Sequence, residues 1–279
     1  MESKITIGGQ ALIEGVMMRS TTKYALCVRK PNRKISTKII KVRNSWLAKV
    51  PIIRGCYRFI ETIYIGVKAI SYSATESSGE DEKLNNGEII ITLLFSFGIF
   101  FLLFYLLPLL LARVLTQNKG TFFNLIDGIA RLIIFFAYLV VISAFSDIKK
   151  VFQYHGAEHM TVLCYENNEN LTVKNIKKFS TLHPRCGTNF ILIVFVVSIF
   201  IFSFIPVKTL FYRFGMRLVL LPLIAGISYE ILRFAGKHYD NILVKILVSP
   251  GILMQKITTK KPKDYMIRVA ITALKAAIS

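Results

Sequence analysis

The sequence predicts a polytopic α-helical membrane protein, with about four transmembrane helices and a small N-terminal cytoplasmic β unit. Three observations predict it. Of 279 residues, 53% are hydrophobic and the mean hydropathy is +0.52, more apolar than a soluble domain of this size needs to fill a core. Uncharged apolar runs recur, one of them 24 residues long, which at about 1.5 Å per residue crosses a hydrocarbon layer ~30 Å thick. The formal net charge of +20, from 36 Lys+Arg against 16 Asp+Glu, flanks those runs instead of forming one basic block. This pattern excludes a disordered chain, a disulfide scaffold and a plain basic nucleic-acid binder.

Residues 1–50 read as a β-rich cytoplasmic unit. Tyr24 to Lys30 and Lys34 to Val42 carry β-branched and apolar residues on either side of Pro31-Asn32-Arg33, a hairpin signature. Ahead of them, Gly8, Gly9 and Gly15 permit either bulges and turns or close approach of backbone to a ligand. No Gly-Lys-Ser/Thr follows, so this is not a phosphate loop. In residues 51–88, Ile53, Tyr57, Ile60, Tyr64 and Val67 recur at helical spacing opposite Arg54, Arg58, Glu61 and Lys68. That amphipathic helix packs on the membrane domain or lies in the headgroup layer, and an acidic linker follows it.

Residues 89–233 form the four-span membrane domain. The uncharged runs are Ile89 to Ala112, Leu132 to Ser146 (with its helix starting near Asn124, which sets Asp127 and Arg131 one turn apart), Cys186 to Val207, and Leu218 to Tyr229. The last is the weakest, 12 residues long and interrupted by Pro222 and Gly226. Loop charge decides the count. Lys+Arg number 15 in residues 1–88, 6 in 146–188 and 9 in 233–279, against 2 and 3 in the intervening loops. Four spans put all three basic segments on one side, with both termini cytoplasmic. Residues 234–279 are a basic amphipathic tail whose last helix lines up Met266, Val269, Ala270, Ala273 and Leu274. Met1 to Gly15 shows no cleavable signal pattern. Cys27, Cys56, Cys164 and Cys186 fall on or beside cytoplasmic segments and are expected as reduced thiols.

Chemistry is concentrated in loop 146–188. His155 and His159 are one turn apart on a helix, with Glu158 between them in angle. Two imidazoles so placed can share a metal ion, and a neighbouring carboxylate can take a proton from water. The H-x-x-E-H order inverts the zinc-protease helix. His183 and Cys186 precede the third span on the same side, and Glu230 stands at the cytoplasmic end of the fourth. Four protein ligands would make a closed structural site; three would leave a position open for hydrolysis with Glu158 as base. Without metal, the histidines would serve as caps and loop hydrogen-bonding residues. Glu230 can equally pair with Arg233. Arg185 and Lys150 can hold an anionic substrate or headgroup.

Gly8-Gly9-Gln10-Ala11-Leu12-Ile13-Glu14-Gly15-Val16-Met17-Met18-Arg19, His155-Gly156-Ala157-Glu158-His159 and His183-Pro184-Arg185-Cys186-Gly187-Thr188 together resemble the YqhQ-like family of bacterial membrane proteins, described as predicted metal-dependent enzymes. The resemblance extends over nearly the whole chain, including Pro51 with Arg54-Gly55 and the Thr258-Thr259 region. It implies a bacterial plasma-membrane location. It also implies that Gly8, Gly9, Gln10, Glu14 and Arg19 wall a site, with Glu14 and Arg19 facing the metal region.

The expectation is therefore a metal-dependent hydrolase at the cytoplasmic face, with Glu158 as base. His155, His159 and His183 would hold a divalent metal, zinc by ligand type, with Cys186 or Glu230 as a further ligand and Arg185 in the wall. The competing expectation is a non-enzymatic membrane factor binding anionic lipid, the ribosome or the protein-insertion machinery through its basic surface.

Overall fold

The structure is a computed structural model that describes residues 7–42, 45–78, 86–116, 120–205, 209–239 and 241–279. Four strands, β1 (Gly8–Leu12), β2 (Gly15–Arg19), β3 (Lys23–Arg29) and β4 (Ile35–Lys41), form an antiparallel meander in the order β1-β2-β3-β4. The helices are α1 (Ile53–Ser78), α2 (Asn86–Phe101), α3 (Leu107–Leu115), α4 (Thr121–Ser143), α5 (Ser146–Glu166), α6 (Val173–Ile176), α7 (Gly187–Ser203), α8 (Leu210–Lys237), α9 (Ile242–Thr258) and α10 (Asp264–Ile278). A π-helical turn, Leu102–Leu106, runs α2 directly into α3.

The sheet is covered on both faces, which explains why β2 and β3 are apolar at almost every position instead of alternating. Val16, Met18, Ala25 and Cys27 point to one face, packed against α5 and α10. Met17, Tyr24, Leu26 and Val28 point to the other, against Ile65 and Ala69 of α1. The expected apolar stripe of α10 is wholly buried in the first of these cores. The predicted hairpin is β3–β4, and the glycine-rich segment ahead of it forms β1 and β2.

Among the described residues, three helices are long and apolar enough to cross a membrane: Ile90–Leu115, Thr121–Ser143 and Phe214–Lys237; α7, at 17 residues, is a shorter apolar helix. By length, though not by apolarity, this inverts the sequence ranking of the last two. The run from Cys186 ends its helix at Ser203, and its last expected residue, Val207, lies outside the described residues. The interrupted run, by contrast, sits inside the 28-residue α8. Gly226 is a contact point there, not a break: a Cβ on it would meet Ile52 at 2.8 Å, and one on Gly55 would meet the Gly226 Cα at 2.7 Å. Small residues let the two helix backbones cross closely.

Asp127 and Arg131 pair at 3.0 Å as their spacing predicts, and Arg217 of α8 joins them on the same carboxylate oxygen. That ion triad ties α4 to α8. The acidic run of the predicted linker, Glu80 to Glu82, lies outside the described residues.

Candidate metal centre

Helix α5 carries His155, Glu158 and His159 under the first strand of the sheet. Gly156, an unfavourable residue for a helix interior, is needed here because the carbonyl oxygen of Lys260 occupies the space a Cβ would take. The Lys260 N–H donates to Phe152 O at 2.9 Å, fastening the α9–α10 connection along α5.

The two histidines are held as a matched pair. His155 Nδ1 is 2.9 Å from Thr258 O, and His159 Nδ1 is 2.6 Å from Thr181 O. A carbonyl only accepts, so each Nδ1 bears the proton and each Nε2 keeps its lone pair. Metal-binding histidines have this arrangement, with the distal N–H given to a backbone carbonyl. His155 Nε2 lies 3.3 Å from Cys186 Sγ. One donor atom from each of His155, His159 and Cys186 falls within 4.8 Å of the others.

Cys186 is the N-cap of α7, where its sulfur accepts from the Thr188 N–H at 3.4 Å and faces the Thr188 hydroxyl at 3.2 Å. Those donors and the positive helix end favour a thiolate. Burial outweighs them and pushes the thiol up to about 11.

Glu158 is buried, and its Oε2 has no hydrogen-bond partner among the described residues. Desolvation pushes its carboxyl up to about 8. Burial also lowers His155, and it holds His159 well below the ordinary imidazole range, with His155 adding to the effect. Four groups able to ligate or move a proton are thus driven neutral together. A divalent cation would reverse that balance. Two lone-pair imidazoles and a thiol are the donor types of zinc sites, so these residues fit such an ion.

The other expected site residues divide by sheet face. Gly9 faces α5: a Cβ there would lie 2.7 Å from Glu158 Oε1. Glu14, held at φ 48° in the β1–β2 turn, accepts from the Tyr154 hydroxyl at 3.0 Å and lies 3.9 Å from Lys150 Nζ. Gln10 reaches the opposite face, against Gly66 of α1, where Arg19 also pairs with Glu61 at 3.0 Å. Nothing crowds Gly8. His183 lies beside His159, with tilted rings whose centroids are 5.6 Å apart, but is not one of the three clustered donors. Its Nδ1 accepts from the Arg185 N–H at 3.1 Å, and its Nε2 faces Glu166 at 3.4 Å. Arg185 pairs with the same Glu166. Glu230 is bound by Arg54, with Nε at 2.6 Å, and by the Ile52 N–H at 3.3 Å, where α1 meets α8. Its hydrogen-bonded partner is Arg54, while the sequence neighbour Arg233 acts on it through charge alone.

Sequence reasoning missed Gln255. Fully buried on α9, it accepts from the His183 N–H at 2.8 Å and donates to His183 O at 2.9 Å and Asn189 Oδ1 at 3.3 Å. It thereby fixes the loop that delivers Cys186. A lone glutamine in a helix carries no motif, and the two carbonyls that orient the histidines have no residue-type signal at all.

Residues 50–279 match the family model described as "Protein of unknown function (DUF1385)". The chain is also 35% identical over 286 aligned residues to the "Uncharacterized protein YqhQ" of Bacillus subtilis (strain 168), covering 95% of this chain and 89% of that protein. No solved structure matches. With the matched region containing α5, Cys186 and Gln255, and the relative aligned over nearly its full length, the chain belongs to the DUF1385 family.

Proposed function

We propose that this is a multipass protein of the bacterial plasma membrane that carries out a metal-dependent hydrolysis at its cytoplasmic face. His155, His159 and Cys186 would hold the ion, which when bound polarises a carbonyl or phosphoryl oxygen and acidifies water. Glu158 would accept the proton at Oε2. The observation that carries this reading is Glu158 itself. Ionising a buried carboxyl that has no partner costs several kcal/mol, and this one stands on α5 with His155 and His159, close enough to Cys186 to act on its thiol. Three protein ligands also leave a position open, as catalytic zinc sites do and closed structural sites do not.

The membrane assignment rests on the exposed apolar surface of Ile90–Leu115, Thr121–Ser143 and Phe214–Lys237. Helix α7, about 25 Å long at ~1.5 Å per residue, would cross with local thinning of the bilayer. Four crossings would set the sheet, α5 and α10 on one side with both termini, and the Lys+Arg distribution supports the cytoplasmic side.

Metal analysis of the purified protein tests the centre. Stoichiometric zinc, lost in His155→Ala and Cys186→Ala but kept in Glu158→Gln with cellular function abolished, is the expected result; absence of bound metal refutes it. The burial of His159 and Cys186 favours a second reading, a metal staple with no reaction. In that case Glu158→Gln retains function, and chelation melts the fold.

A further inference from the structure

On the face of the sheet away from the histidines, α1 and the β3–β4 strands enclose an open groove of ≈ 840 Å³. Leu26, Ile40 and Ile65 form part of its apolar floor. Lys38 and Lys41 stand along its strand side and Lys68 along its helix side, all exposed. None of the three has a salt-bridge partner among the described residues; Lys38 lies over the Tyr72 ring and Lys68 over the Tyr64 ring. The one carboxylate among the groove residues, Glu61, is neutralised by Arg19 at 3.0 Å and Arg58 at 2.7 Å. Beside it the Tyr24 hydroxyl is buried without a hydrogen bond of normal geometry. An apolar trough with a cationic rim fits an anionic amphiphile.

The groove opens onto apolar surface. Ile60, Ile63, Tyr64, Val67 and Ile70 of α1 are each between 46% and 64% exposed. The position of α1 brings that stripe toward the bilayer. Its N-terminal half packs on the start of α7 and the middle of α8, through Phe59 on Phe190 and Gly55 on Gly226. The helix itself is about 39 Å long at ~1.5 Å per residue. So anchored against α7 and α8, α1 carries its exposed apolar stripe beside the helices that the proposed topology puts in the bilayer.

We propose that this groove binds an anionic phospholipid of the surrounding bilayer, with acyl chain on the floor and headgroup among Lys38, Lys41 and Lys68. The proposal rests on the membrane reading above and is independent of the metal. Native mass spectrometry of the full-length protein released from detergent micelles, titrated with phosphatidylglycerol or phosphatidylcholine, tests it. The wild-type protein should hold phosphatidylglycerol with a preference of at least roughly tenfold. The triple variant Lys38→Gln, Lys41→Gln, Lys68→Gln should lose that preference. Ser71→Trp, which fills the groove from an exposed position and keeps all three lysines, should displace the lipid while the melting temperature holds. Equal retention of the two lipids, or undiminished binding by either variant, overturns the proposal. So does a co-purifying acidic peptide that Ser71→Trp releases, which would assign the groove to a protein partner. Recovery of the protein in the supernatant of sedimented membranes overturns the membrane reading instead.

Discussion

Gly9 of β1 lies so close to Glu158 of α5 that a Cβ on the glycine would fall 2.7 Å from the carboxylate Oε1 and equally close to Met17 O. The strand is thus the lid over the buried carboxylate. Gly9→Ala should cost about 1–3 kcal/mol, read as a fall in melting temperature. Glu158→Ala in the same chain should return part of that loss, because it removes one of the two clashes; a double-mutant cycle with no coupling would sink the contact.

Stability of the metal-stripped protein should depend on pH through Glu158. Its folded carboxyl is raised to about 8 by burial, above an unfolded value near ~4.3. The folded state therefore binds the proton more tightly, and stability falls as pH rises from the ordinary carboxylate range to about 8, then levels. Glu158→Gln should flatten that part of the profile and gain most against wild type at the alkaline end. Parallel urea melts across this range check the sign; a gain largest at acid pH contradicts it.

Gln255→Ala should weaken metal binding by about 10–100-fold, as loss of a supporting hydrogen-bond shell does, although Gln255 is not among the clustered donors. Its three hydrogen bonds hold His183 and Asn189 on either side of Cys186. Competition with a chromophoric chelator measures the affinity. Unchanged affinity with lowered stability would limit Gln255 to the fold.

Glu230→Gln should leave metal content unchanged, because its carboxylate is engaged by Arg54 and the Ile52 N–H. It should lower the melting temperature modestly, because a charge-assisted hydrogen bond in a partly exposed pair is lost. Arg54→Gln should match it, and the double variant should cost little more than either single change. Loss of metal in Glu230→Gln would return this residue to the ligand set.

The local code was legible where a single element bears the signal. Apolar run length and helical period marked the helices, and the period of α5 already put His155, Glu158 and His159 on one face. It failed where the outcome depended on a neighbour. Pro222 and Gly226 read as interruptions of a helix, yet Gly226 is where α1 crosses α8; Glu230 read as a partner of Arg233 or a ligand, yet Arg54, far away in sequence, takes it. Residue types and their periodicities, which act over one or two helical turns, determine the elements and nominate Cys186 with the two histidines. Only packing decides that Cys186 completes the donor cluster while His183 turns to Arg185 and Glu166. Packing also sets Gln10 and Arg19 on the face away from Glu158, because strand side chains alternate and a one-residue shift in register would have exchanged the faces.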